Sequence, residues 1–233
     1  MLARSVVAAV LAFSLASCGM GSRLRPESFR RGTKLAVIGV YTSPDVKYWT
    51  KSVGVGPFGA TQINDHTDDV TKATAVLNDT KRATFRGLAS ARSFRLVPEE
   101  TVLSSAGYAA ARTSKPGVFT SRLVPAHGYR RFFEEPEIAG AARALKVDGA
   151  LIVSMEHYCV PDGGDVVGMV TISFAAVDTA GRYMWWDYTS ARSDRKLPAG
   201  ADLNADSVRP LLVDSAEKGA RALVKLLDAR LGG

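Results

Sequence analysis

The chain has 233 residues, of which 46% are hydrophobic, so it can bury a sizeable core and is too apolar to be disordered throughout. Its two cysteines, Cys18 and Cys159, exclude a disulfide-stapled scaffold. A formal net charge of +7 favours anionic surfaces as partners, and after position 20 no apolar run reaches the roughly 20 residues that a membrane-spanning helix needs.

Met1 to Ser5 carries one positive charge, Arg4, and Val6 to Leu15 is apolar apart from Ser14. A basic start followed by a short apolar run is the pattern of a secretory signal. Leu15-Ala16-Ser17-Cys18, with small residues on both sides of the cysteine, resembles the lipobox of bacterial lipoproteins. The resemblance implies a diacylglyceryl group on the Cys18 thiol, cleavage before Cys18 and acylation of the new amine. Several acyl chains would anchor the body stably, whereas one binds only marginally. The alternative is an ordinary signal peptide with a chance cysteine. Gly19, where an aspartate would favour inner-membrane retention in such lipoproteins, implies the outer membrane with the body facing the periplasm. Export removes nucleic acid as a partner. Arg23, Arg25, Arg30 and Arg31 suit membrane or lipopolysaccharide phosphates. The expected organisation is a signal peptide over 1–17, a lipidated tether over 18–33 and one α/β domain over 34–233.

Lys34–Tyr41 is a short β-rich run and reads as a central strand, ended by Thr42-Ser43-Pro44-Asp45. Residues 46–66 resist assignment. From Asp68 the pattern predicts a helix with Val70, Ala73, Leu77 and Lys81 on one face, capped by Thr67 and reaching Leu88, where Gly87 weakens its end. Ser93–Val97 alternates as a strand. Glu99–Ala111 reads as a second helix with Val102, Leu103, Ala106 and Ala110 inside. Residues 112–130 form a loop-rich stretch, and Pro136 opens a helix ended by Asp148-Gly149.

The remainder is read more sharply. Ala150–Tyr158 is a strand, Pro161–Asp165 a turn and Val166–Val177 a long strand whose Val170, Ile172, Phe174 and Ala176 alternate with Thr171, Ser173 and Ala175. Asp178-Thr179-Ala180-Gly181 is a second hairpin turn before the strand Arg182–Tyr188. Alternation places Tyr183, Trp185 and Asp187 on one face of that strand and Met184, Trp186 and Tyr188 on the other. A polar loop over 191–205 precedes a long helix from Asp206 or Ser207 to about Leu231. Its packing face is Val208, Leu212, Ser215, Gly219, Ala222 or Leu223, and Leu226, with Pro210 in the first turn. The fold class is therefore α/β: a mixed sheet with an antiparallel C-terminal meander, helices packed on it and a long C-terminal helix.

Reactive constellations are scarce. Gly54-Val55-Gly56-Pro57-Phe58-Gly59 has the letters of a dinucleotide loop, but it does not directly follow the first strand, and Pro57 removes an N–H donor. It reads as an ordinary glycine-rich loop. Asp65, His66, Asp68 and Asp69 could be metal ligands, and three of them read equally well as helix-start residues. Cys159, on a strand, reads as buried and inert rather than catalytic. His66, His127 and His157 do not suggest one compact site, and no hydrolase, zinc or phosphate-loop motif stands out. No cofactor is expected.

Val37-Ile38-Gly39-Val40, Phe94-Arg95-Leu96-Val97, the passage Ala141–Ser154 with Leu145-Lys146-Val147-Asp148, and the hairpin Phe174–Arg182 together resemble envelope assembly lipoproteins. That group includes the curli secretion lipoprotein, the peptidoglycan-synthase activator lipoproteins and the N-terminal domain of the Tol-system periplasmic protein. The resemblance spans roughly residues 34–230 and implies action by binding envelope proteins or by self-association, without catalysis. The chain differs from these proteins in its glycine-rich 51–66 segment and long 112–135 linker, and has no clear amphipathic segment to line a pore. The expected function is a non-catalytic scaffold or assembly factor; the alternative is a lipoprotein that binds lipid, glycan or a small molecule. Tyr183, Trp185, Trp186 and Tyr188 are the candidate partner surface, with Tyr129, Phe132 and Phe133 as further aromatic candidates.

Overall fold

The computed structural model describes residues 22–55, 61–117 and 120–232. The expected signal sequence, Cys18, Gly19 and most of the glycine-rich motif lie outside the described residues.

An eight-stranded mixed sheet is the frame. Its strands are β1 (Arg23–Leu24), β2 (Lys34–Val55), β3 (Thr61–Lys72), β4 (Arg95–Leu96), β5 (Val124–Pro125), β6 (Gly149–Asp162), β7 (Asp165–Asp178) and β8 (Tyr183–Pro198). The helices are α1 (Thr74–Leu88), α2 (Glu99–Leu103), α3 (Ala106–Ala110), α4 (Glu135–Leu145) and α5 (Ala205–Arg230). The main strand order is β1-β8-β7-β6-β2-β3, with β6 parallel to β2 and the β6–β7–β8 meander antiparallel. The outer edge of β2 is covered in succession by β4 at Lys34–Leu35, β5 at Tyr41–Thr42 and β3 from Asp45 onward.

The mixed sheet, the meander and the long last helix match the fold class expected from sequence. The turn of the β6–β7 hairpin is Gly163-Gly164, with φ of 62° and 93°, between paired Asp162 and Asp165. Positive φ at both central residues gives the twist that adjoining strands need, and glycine adopts it without steric cost. At the β7–β8 turn Asp178 accepts hydrogen bonds from the Ala180 and Arg182 amides and from the Arg182 guanidinium.

Several boundaries fall elsewhere. Thr42–Asp45 does not end the first strand: β2 passes through it as an irregularity in its pairing with β6, then continues as a long hairpin with β3. Proline is tolerated there because a bulge leaves an amide without a ladder partner. Thr67, Asp68 and Asp69 belong to β3, so α1 starts at Thr74, with Ala73 at its cap position. The expected second helix is two, because the Ser105 side chain accepts from the Gly107 and Tyr108 amides and starts α3 afresh. Ala106 and Ala110 are consequently exposed. The loop expected over 191–205 is strand as far as Pro198. Residues 23–33 are not free tether: β1 pairs with β8, and Leu24 and Phe29 pack on the core.

Two apolar layers flank the sheet. On one face α1 and α5 cover Val153, Met155, Cys159, Val170, Ile172, Phe174 and Trp185. On the other, α2, α3, α4 and the segment around Phe132 cover Ile38, Tyr41, Ala150, Ile152 and Val177. Asn204 and Ser207 form a capping box that starts α5 at Ala205, which moves Pro210 beyond the first turn. Leu227, not Leu226, continues its buried face; Leu226 is exposed.

Gly87 does not merely weaken the end of α1. A Cβ there would sit 2.5 Å from the Ala220 Cβ and 2.9 Å from the Glu217 carbonyl oxygen, so the absent side chain lets α1 and α5 touch. Gly87→Ala gains about 1 kcal/mol of helix propensity but overpacks the crossing at a cost of about 1–3 kcal/mol. The expected net result is destabilisation, read as a lower urea midpoint at unchanged m-value; a raised midpoint would refute the packing account.

Candidate functional site

The helices α2 to α4 cover only one end of their face of the sheet. Strand alternation identifies the side chains at the other end. His157 and Cys159 point beneath α1 and α5, so Glu156 and Tyr158 point to the opposite face. There Trp49 of β2 stands 6.3 Å from Tyr158, ring centroid to centroid, and the Tyr158 hydroxyl donates to Glu156 at 2.9 Å. Both rings pack on a small apolar patch of Val160, Val167 and Met169.

Along β7 and β8 the same face continues. Thr171 and Ser190 share a hydrogen bond of 2.8 Å, Ser173 is paired with Tyr188, and Ala175 with Trp186. Trp186 and Tyr188 lie two residues apart, their rings 5.6 Å apart. Aromatic rings thus occur at both ends of an open band with hydroxyls between them. Rings with one polar edge combine large contact area with a hydrogen-bonding tip, a composition suited to a partner surface.

The expected partner residues divide. Trp186 is half-buried and Tyr188 is 36% exposed, both on the open band. Trp185 is fully buried, packed against Phe174 at 5.3 Å and against Phe94, and contributes to the core alone. Tyr183 does not share its face. A bulge between Ala176 and Val177 of β7 leaves Met184 as the extra residue of β8, which turns both Met184 and Trp185 toward α5 and Tyr183 toward α4. Burial and a bond to Glu135 push the Tyr183 hydroxyl up to about 12, and Arg23 lies over its ring at 5.6 Å. Tyr129 is buried in the layer under α1 and α5 and Phe132 in the opposite one, which removes both from the surface, and Phe133 is half-buried against the latter. Trp49 and Tyr158 were not identified from sequence as part of this surface. Only the fold brings β2 and β6 side by side, and Tyr158 alone showed a signal, lying opposite the apolar positions of its strand.

The three histidines and Cys159 lie in different surroundings. His66 is exposed on β3 and His127 is exposed in the turn after β5. His157 is buried, held between the Thr42 hydroxyl at Nδ1 (3.0 Å) and Thr80 at Nε2 (3.1 Å). Thr80 directs its own proton to the carbonyls of Val76 and Leu77, so Nε2 donates to Thr80; burial favours the neutral ring, which leaves Nδ1 to accept from the Thr42 hydroxyl. Burial pushes the Cys159 thiol up to about 12, far from nucleophilic. Among the described residues no group of three His, Cys, Asp or Glu side chains is placed to hold a metal. The clefts on the surface are lined by charged side chains, for example Arg30, Arg31, Asp148 and Arg182 near the chain's start.

Next to β1, Ser22 is fixed. Its hydroxyl donates to Asp187 at 3.0 Å and receives a bond from Arg230, the last residue of α5, at 2.6 Å. Arg230 also pairs with the buried Asp187 at 3.1 Å.

No protein-family model matches the chain, and no curated protein matches it. Among solved structures it is similar to the LpoB C-terminal domain from Salmonella enterica, with 10% identity over 78% of this chain and 92% of that one, at a TM-score of 0.32. It is also similar to the PelC dodecamer from Paraburkholderia phytofirmans, with 12% identity over 87% of this chain and 95% of that one, at a TM-score of 0.28. Both are weak likenesses of fold, and nothing about activity follows from them.

Burial lowers the His157 pKa from 6.5 to about 4. The unfolded chain therefore binds this proton at higher pH than the folded one. The neutral ring's contribution is complete above pH 6.5 and is lost as pH falls toward 4, about 3 kcal/mol in all. Urea unfolding from pH 7 to 4 should show this decline, and His157→Gln should flatten it; an equal slope in the variant would place the proton uptake elsewhere.

Proposed function

We propose that the chain is an outer-membrane-anchored periplasmic lipoprotein that serves as a non-catalytic scaffold or assembly factor by binding envelope proteins. Two features support the reading. The lipobox-like ending of a basic-then-apolar leader supplies the anchor. The open aromatic band supplies the contact surface, and this single observation carries the binding role: Trp49, Tyr158, Trp186 and Tyr188 reach the uncovered end of a sheet whose other face is sealed by helices. Among the described residues no helix is long and apolar enough to cross a membrane.

Binding is favoured over storage of a lipid or small molecule because clefts such as those beside Arg86 and Arg209, or Arg30 and Arg182, are lined by charged rather than apolar side chains. Aromatic residues at the centre of partner surfaces contribute most of the binding energy.

Two measurements test the proposal. A photo-cross-linking residue in place of exposed Glu156, with the anchor intact, should capture one envelope complex in living cells, whereas the same residue in place of exposed Ala222 on α5 should not. Equal capture from both positions, or a monomer that carries bound lipid, would overturn the assembly role. Separately, Cys18→Ala should release the protein from the membrane fraction; unchanged retention would overturn the anchor.

A further inference from the structure

The large apolar side chains exposed among the described residues are Tyr188 at 36% and Leu226 at 40%. They come from different elements, β8 and α5, and stand on opposite faces of the sheet, but both lie beside its β8 edge. Leu226 and Arg230 are four apart on α5 and so stand on one stripe of the helix. Arg230 holds Ser22 and Asp187, and Tyr188 follows Asp187 in β8. Both exposed residues therefore flank the point where the chain's first described residue is fixed to the body.

That point has a limited distance to the anchor. Three residues lie between Cys18 and Ser22, and an extended chain spans at most ~14 Å over those four steps. The knot at Ser22 prevents slack from being drawn out of the body. Given the anchor of the proposed function, the β8 edge of the sheet must lie within that distance of the bilayer, and the opposite edge must point away.

We infer that the edge formed by β8 and the last turns of α5 rests on the headgroup layer of the bilayer that carries the anchor, with Tyr188 and Leu226 inserted at its surface. Three observations fit this one occupant. Tyrosine has an apolar ring and a wet tip and belongs at such an interface. Arg23 and Lys225, exposed beside the two residues, match headgroup phosphates. The outer backbone edge of β8 beyond Trp186 has no strand partner among the described residues, and a hydrated headgroup layer satisfies it while blocking pairing with another chain. The inference also divides the aromatic band. Its Tyr188 end meets lipid, and its other end, with Tyr158 two strand spacings away and Trp49 three, stays open to a protein partner.

The test uses the full lipoprotein in nanodiscs. The thiol of Cys18 is acylated in this reading and that of Cys159 is buried, so a single introduced cysteine takes the label. A fluorophore is placed at Tyr188→Cys, at Leu226→Cys or at Asp68→Cys, the last on β3, four strand spacings or about 19 Å across the sheet. Quenching by headgroup-attached nitroxide should be at least threefold stronger at positions 188 and 226 than at 68. Equal quenching at all three in a protein whose Cys18 carries acyl mass overturns this orientation and leaves the anchor standing. Absence of acyl mass on Cys18 overturns the anchor and the orientation together.

Discussion

A pleated strand sends alternate side chains to opposite faces, so every strand of this sheet must serve two environments at once. On one face the requirement is uniform. Val153, Met155, Val170, Ile172 and Phe174 meet the unbroken cover of α1 and α5, and burial of these chains is the main stabilising contribution. On the other face the cover stops partway. The same strands that present Ile38, Ala150 and Val177 to α4 and its neighbours present Glu156, Tyr158, Thr171 and Ser190 beyond them. The open band is what remains when two helices span one side and only short ones reach the other.

Where a strand must change allegiance, it carries an irregularity. The bulge at Met184 makes Met184 and Trp185 consecutive core residues and sends Tyr183 to the far side. The shift between Val37 and Gly39 leaves Ile38 as the extra residue of β2, so Val37 and Val40, three apart, both serve the α1 side, while Ile38 and Tyr41 serve the α4 side, the Tyr41 hydroxyl accepting from the Phe132 amide and donating to the Arg130 carbonyl; a second shift follows between Thr42 and Val46. His157 binds Thr42 of β2 and Thr80 of α1 beside this shift, a polar contact that joins the two layers where the strand is least regular.

What could be read from sequence follows from these facts. The β6–β7–β8 meander was legible because half-buried strands alternate and because Gly163, Gly164 and Gly181 mark the turns. Helix α5 was legible because its buried stripe is long. The β2–β3 hairpin was not. Thr61–Lys72 contributes an edge strand that is polar almost throughout, so no hydrophobic period betrays it, and Thr67-Asp68-Asp69 imitates a helix start. The second half of β8 was lost for the same reason: exposed residues such as Arg192 and Lys196 are held by the backbone ladder rather than by burial. Of the surface, Trp186 and Tyr188 were visible as neighbours on one strand, whereas the contribution of Trp49 required knowledge of which strands pair. Trp185 was counted as surface because both faces of the strand carry aromatic rings and alternation does not say which face the helices cover; the bulge that parts Tyr183 from Trp185 leaves no mark in an alternating pattern.

The parallel pairing of β2 with β6 has a bearing on how the chain reaches this state. Leu35 meets Gly149 only after more than a hundred intervening residues have been made, and a closure of that span is entropically slow. The meander and α5, by contrast, collapse from contacts close in sequence. The end synthesised first thus becomes the part that must wait: a 22-residue strand with many unpaired backbone groups stays without its inner neighbour until the rest of the polypeptide has emerged. Its hairpin with β3 closes locally and shelters one side in the interval, so the segment that resisted assignment acts as the strand's own escort during biogenesis.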